Sequence, residues 1–283
     1  MGIFLTGMCF VHFSFDLIAQ ERFSKTSDFA DQLVFNDVYI TDSGYVTTSR
    51  AIDSDFSNPY FVTRFDQQGE QISQVIYDSQ GWYLEGIFDT DVQLNDSTWL
   101  IACERRNDLS DTTYCALLWM NEMGGTLFSR QFMSPYFNPE YDNTAWVRPT
   151  AINKSEDGNS IFIVCRIVDY PPVQNGFIIQ QYSSDGVKGW TYESPIDNNY
   201  FACDDIVERN DTIYAIKYGA TENFYPKIIS IDDLTGTLNW QNQLDGDTFP
   251  YSGTKSIVLS SNGIVCASLK AQENFASVPA IFK

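Results

Sequence analysis

The stretch "IDDLTGTLNWQNQL", residues 231–244, reads as a strand, a tight glycine turn at Gly236 and a second strand carrying Trp240. Weaker copies occur in "YFVTRFDQQGEQISQVIY", "CALLWMNEMGGTLFSRQF" and "FIIQQYSSDGVKGWTYES". Their glycines, Gly69, Gly124, Gly186 and Gly236, are separated by 55, 62 and 50 residues. A second series of turns falls at Ser43-Gly44, Asp96-Ser97, Gly158-Asn159, Asp211-Thr212 and Asn262-Gly263, with steps of 53, 62, 53 and 51. Both series share the long step, so one insertion near "MSPYFNPEYDNTAW" accounts for both.

Each unit therefore holds four short strands, rich in β-branched and aromatic residues and punctuated by Gly, Asn and Asp. No stretch keeps a 3.6-residue apolar period over several turns. Four strands per repeat of about 40–50 residues is the pattern of a β-propeller blade. The expected fold is thus all-β, a propeller of about five four-stranded blades spanning 20–283. The blades fall near 35–78, 90–133, 146–194, 202–245 and 253–283. The last unit has three strands, and "RFSKTSDF" resembles the missing outer one. Residues 22–28 are expected either to close the fifth blade, or the chain is an arc of a larger propeller.

Composition narrows the function. The chain has 283 residues, 43% hydrophobic and 15% aromatic, which supplies a large core. Its 37 acids against 17 bases leave a net charge of −20, which repels nucleic acid and anionic lipid. The opening "MGIFLTGMCFVHFSFDLIAQ" has the length of a signal-peptide apolar region, with a small residue, Ala19, before a cut ahead of Gln20. His12 and Asp16 interrupt it as a membrane anchor. We expect residues 1–19 to be removed on export, leaving a monomer at the cell surface, in the periplasm or outside the cell. His12 is the only histidine, so the mature chain would hold no Ser-His-Asp arrangement and no histidine-ligated metal.

The segment Asp232-Asp233-Leu234-Thr235-Gly236, with Trp240 four residues on, resembles the Asp-x-x-Thr-Gly-x-x-x-Trp blade motif of quinoprotein-like propellers. The N-terminal "AQERFSKTSDF", "ITDSGYVTTS" and "FVTRFDQQGEQI" are similar to secreted bacterial repeat propellers exported by type IX secretion. The resemblance implies a fold and says little of activity. Quinoprotein dehydrogenases of this fold use a vicinal cysteine disulfide, calcium and an aromatic quinone platform. Here Cys103, Cys115, Cys165, Cys203 and Cys266 are far apart in sequence, so no cofactor and no metal is expected. Type IX cargo also carries a separate sorting domain, which "SVPAIFK" at the end of this sequence does not supply.

Candidate chemistry is sparse. Cys103 and Cys115 are equidistant from Leu109, and a hairpin centred there would set them opposite each other for a disulfide. The alternative is a pair of small buried apolar residues. The acidic loops "DSDFSN" and "LDGDT" lack a calcium ligand ladder. Asp204 and Asp205, being adjacent, would point to opposite faces of a strand and so cannot flank one glycosidic bond. Glu104-Arg105-Arg106 would sit in a hairpin connection. Trp82, Tyr83, Tyr136, Phe137 and Tyr141 lie in long connections and could form a glycan- or peptide-binding rim. The expected function is a secreted, non-enzymatic propeller that binds a protein or glycan or serves as a scaffold. The alternative is a divergent quinoprotein-like or carboxylate/Tyr enzyme with its site in the central channel.

Overall fold

The computed structural model describes residues 32–52, 60–77, 84–85, 90–95, 97–107, 110–121, 125–132, 145–169, 174–194, 200–219, 227–243, 251–260, 263–271 and 277–282. The signal-like segment 1–19 and the strand expected at 22–28 lie outside them. Every described element is a strand or a turn, and none of the described residues forms a helix able to cross a membrane.

The chain divides into two compact units, 1–77 and 78–283. The first holds one antiparallel sheet in the order β1 (Gln32–Thr41), β2 (Gly44–Ile52), β3 (Tyr60–Asp66) and β4 (Gln71–Tyr77). The second holds four sheets. In the first of these, β7 (Thr98–Asn107), β8 (Ser110–Asn121) and β9 (Thr126–Phe132) follow an inner edge built from two pieces, β5 (Leu84–Glu85) and β6 (Asp91–Asn95). The expected single inner strand is thus split. The next sheet runs β10 (Ala145–Lys154), β11 (Ser160–Asp169), β12 (Gln174–Ser183) and β13 (Lys188–Glu193). Then come β14 (Tyr200–Arg209), β15 (Thr212–Gly219), β16 (Lys227–Asp232) and β17 (Leu238–Gln243). The last has three strands, β18 (Tyr251–Ser260), β19 (Gly263–Ala271) and β20 (Ser277–Phe282).

Each sheet is a meander, and consecutive sheets of the second unit pack through their first strands, β10 against β14 and β14 against β18. This is propeller geometry: sheets stand face to face, with their first strands innermost. The fold is an all-β propeller of about five blades.

Strand periodicity sorts the core. On β11 the odd residues Ile161, Ile163, Cys165 and Ile167 join Leu100, Ala102, Cys115, Leu117 and Trp119 of the preceding blade. The even residues Phe162 and Val164 join Cys203, Ile206, Ile213, Ala215, Ile229 and Ile231 of the following one. A central blade is therefore apolar on both faces, which explains why β11 reads as an unbroken run, "SIFIVC".

The repeated glycines do two jobs. Gly69, Gly186 and Gly236 have φ of 81°, 82° and 70°, a region that a Cβ resists. At Gly186 an added Cβ would sit 2.5 Å from the Phe128 ring, and at Gly236 it would sit 2.5 Å from Trp190. Phe128 and Trp190 each lie four residues after the glycine of their own blade, Gly124 and Gly186. The motif is therefore a relay. The aromatic of one blade lies on the glycine turn of the next.

Candidate functional site

The inner strands and the turns beside them are where a propeller offers polar groups to a ligand, so their chemistry decides the candidates. All four long inner strands carry a register shift at matching places: Phe35/Asp37, Pro149/Ala151, Cys203/Ile206 and Thr254/Ser256. Such bulges re-aim side chains and cluster near functional sites. In β10 and β14, groups at or beside the bulge reach the next blade. Thr150 Oγ1 donates to the Cys203 carbonyl at 2.5 Å, and Asn153 Nδ2 to the Ile206 carbonyl at 2.7 Å. One blade further, Asp205 Oδ2 accepts from Ile257 N at 2.7 Å, while its Oδ1 accepts from Ile206 N at 2.8 Å.

Asp204 and Asp205 both fall within the register shift of β14. Glu208, 8% exposed, is spent the same way. Its Oε2 accepts from Glu156 N of the preceding blade at 2.7 Å, and its Oε1 accepts from Asp211 N at 3.1 Å. Glu104 is not in a hairpin connection, as the sequence suggested, but inside β7, buried and paired with Arg148 Nε of the next blade at 2.5 Å. Lys154 Nζ donates to the Gln93 and Leu94 carbonyls at 3.0 and 3.4 Å. The sequence hid these roles because their partners lie about 50 residues away. The one available signal was the matching position of "TAIN", "DDIV" and "KSIV".

The hairpin turns form a second polar region. Asp157, Asp211 and Asp233 come from turns of neighbouring blades, and Glu208 and Asp232 from the strand ends beside them. Asp233, 7% exposed, meets Gln181 Nε2 at 3.3 Å, and its backbone carbonyl accepts from Trp190 Nε1 at 2.5 Å. Burial, followed by the charges of Glu208, Asp211, Asp157 and Asp232, pushes its carboxyl up to about 6. At the exposed edge Asp232 is held below its usual value, chiefly by the Thr235 hydroxyl and then by Thr235 N.

The Asp233 shift has a sign that can be tested. Between pH about 4 and about 6 the folded chain keeps a proton that the unfolded chain has lost. Stability therefore falls as pH rises through that window, and the full cost is present above it. Asp233→Asn should flatten this part of the urea-midpoint profile. The gain at pH 7 relative to pH 4 should be about 1 kcal/mol, below the dry-site value because the neighbouring acids are solvent-screened. A parallel profile for parent and variant would show that Asp233 ionises freely.

The proposed disulfide does not form between the expected partners. Cys103 lies opposite Ala116 and Cys115 opposite Glu104, so the two thiols point to opposite faces of the sheet. Cys103, Cys115, Cys165 and Cys203 are all buried. Trp82, Tyr83, Tyr136, Phe137 and Tyr141, and the acidic loops 53–58 and 244–248, lie outside the described residues. Among the described residues no group of three or more His, Cys, Asp or Glu could hold a metal ion.

No known protein family and no curated protein matches the sequence. Solved structures do match. A protein of unknown function from Dyadobacter fermentans aligns with a TM-score of 0.54 at 13% identity, covering 89% of this chain and 80% of that one. An exo-beta-1,3-galactanase from Phanerochaete chrysosporium gives 0.47 at 11% identity, over 87% of this chain and 58% of the galactanase. A quinohemoprotein alcohol dehydrogenase from Comamonas testosteroni gives 0.46 at 14% identity, over 84% and 42%. This chain thus spans little more than half the galactanase and less than half the dehydrogenase. At such identities a likeness is one of fold alone, and it is the four-stranded meanders packed through their first strands that make the chain an all-β propeller.

Proposed function

We propose that this protein is an exported β-propeller that acts outside the cytoplasm as a binding or scaffold module rather than as an enzyme. One observation carries the reading. Two acids of the inner strand β14, Asp205 and Glu208, each give both oxygens to backbone N–H groups, and Glu104 of β7 is tied to Arg148. A catalytic carboxylate needs an oxygen aimed at substrate, with its proton affinity tuned to the reaction. These carboxylates instead staple one blade to the next. What a rigid propeller then offers is its connecting loops, the usual carriers of recognition on such scaffolds.

Two measurements test the proposal. The mature chain recovered from expressing cells should lie outside the cytoplasm and begin at Gln20. It should show no turnover of p-nitrophenyl glycosides, nor of alcohols in a dye-linked assay with added quinone and calcium. Turnover that disappears in Asp205→Asn or Glu208→Gln, with folding intact, would replace this reading by the channel-enzyme alternative. A mature chain retained in the cytoplasm would remove its exported part.

A further inference from the structure

The cysteine that faces Cys115 is Cys165, on the next blade. One chain of contacts places them together. Thr113 Oγ1 accepts from Val147 N at 2.9 Å, which pins β8 to β10. Val147 lies opposite Ile167 on β11, and Pro149 lies opposite Cys165. Moving two residues along from Thr113 therefore brings Cys115 to the row of Cys165, on the facing sides of the two sheets. Both belong to the same apolar cluster, and both are fully buried. Cys103 is turned away, its thiol donating to the Ala116 carbonyl at 3.5 Å.

We propose that Cys115 and Cys165 are a modification site: an inter-blade disulfide forms between them when the chain folds in the presence of a small-molecule disulfide. A thiol is a weak hydrogen-bond donor, so this buried pair gains little from staying reduced in an apolar cluster. A disulfide there would be apolar and would close a loop of 51 residues, from Cys115 through Cys165, restricting the unfolded chain.

The chemistry balances in two exchanges. One protein thiolate attacks a sulfur of the small disulfide, forming a mixed disulfide and releasing one small thiolate. The second protein thiolate attacks the protein-side sulfur, forming the Cys115–Cys165 bond and releasing the other small thiolate. Two electrons pass to the oxidant, and the two protons lost by the cysteines end on the two released thiols. The exchanges belong to folding, before the blades dock. Once they are docked, burial raises the Cys115 thiol well above its ordinary value, and the pair is out of reach of thiolate chemistry.

The test is to unfold and reduce the mature chain, then refold it in a reduced/oxidised glutathione mixture. Unfolded afterwards, it should titrate three free thiols rather than five, the sixth cysteine, Cys9, lying in the leader. Tryptic digestion without reductant should yield peptide 107–130 joined to peptide 155–166, separated by dithiothreitol. The oxidised form should melt about 5 °C or more above the reduced one. Cys103→Ser should keep the cross-link, and Cys165→Ser should abolish it. Five free thiols after refolding would overturn the proposal. So would a cross-link from 107–130 to the peptide holding Cys103, or one that survives Cys165→Ser.

Discussion

Replacing Gly236 by valine is expected to lower the unfolding free energy by about 3 kcal/mol, from two separable causes. The first is backbone strain. At φ of 70° a β-branched side chain costs about 1–2 kcal/mol. The second is overlap with the ring of the preceding blade. The Cβ alone would lie 2.5, 2.6 and 2.9 Å from three atoms of Trp190, and overpacking of this kind costs about 1–3 kcal/mol. Gly158 separates the two. Its φ is 75°, yet a Cβ there meets nothing within 4 Å, so Gly158→Val should cost only the strain, about 1–2 kcal/mol. Urea midpoints of both variants read the difference directly. Equal losses at the two sites would mean that Trp190 yields without cost, and the relay between blades would then be a contact without energetic weight.

The glycine relay shows what was legible in the sequence. The glycine spacing and strand pairs marked five sheets and their turns, because strand alternation and positive-φ turns are local properties. The interlocks between blades are not local. Glu208 reaches Glu156 across 52 residues and Asp205 reaches Ile257 across 52, and no pattern inside one repeat encodes the rotation that brings them together. The cysteines mark the boundary most clearly. Symmetry about Leu109 suggested that Cys103 faces Cys115, but the register shifts between Arg106 and Asn107. One residue of shift moves a side chain to the other face, and the partner became Cys165. The split inner edge of β5 and β6, and the bulges of the other inner strands, were hidden for the same reason: each depends on what the neighbouring strand demands.

Trp119→Ala should cost about 4 kcal/mol. Trp119 is fully buried between the second and third blades. Its ring stacks on Phe128 with centroids 4.6 Å apart and an interplanar angle of 16°, and it meets the edge of Tyr182 at 6.3 Å. Its indole Nε1 also donates to the Ser184 carbonyl in the following blade's hairpin turn, at 3.0 Å. Trp119→Phe keeps most of the packing and loses that bond, so it should cost about 1–2 kcal/mol. Trp240, four residues after Gly236 as Phe128 is after Gly124, is by contrast 39% exposed and tilts on Tyr214 at 6.1 Å. Trp240→Ala should therefore cost less than about 1 kcal/mol. The three midpoints rank the argument. If Trp119→Ala and Trp240→Ala fell together, the aromatics would be stabilising single blades through local strand packing. A wide gap, with Trp119→Phe between, would place the stability in the contact of one blade with the next.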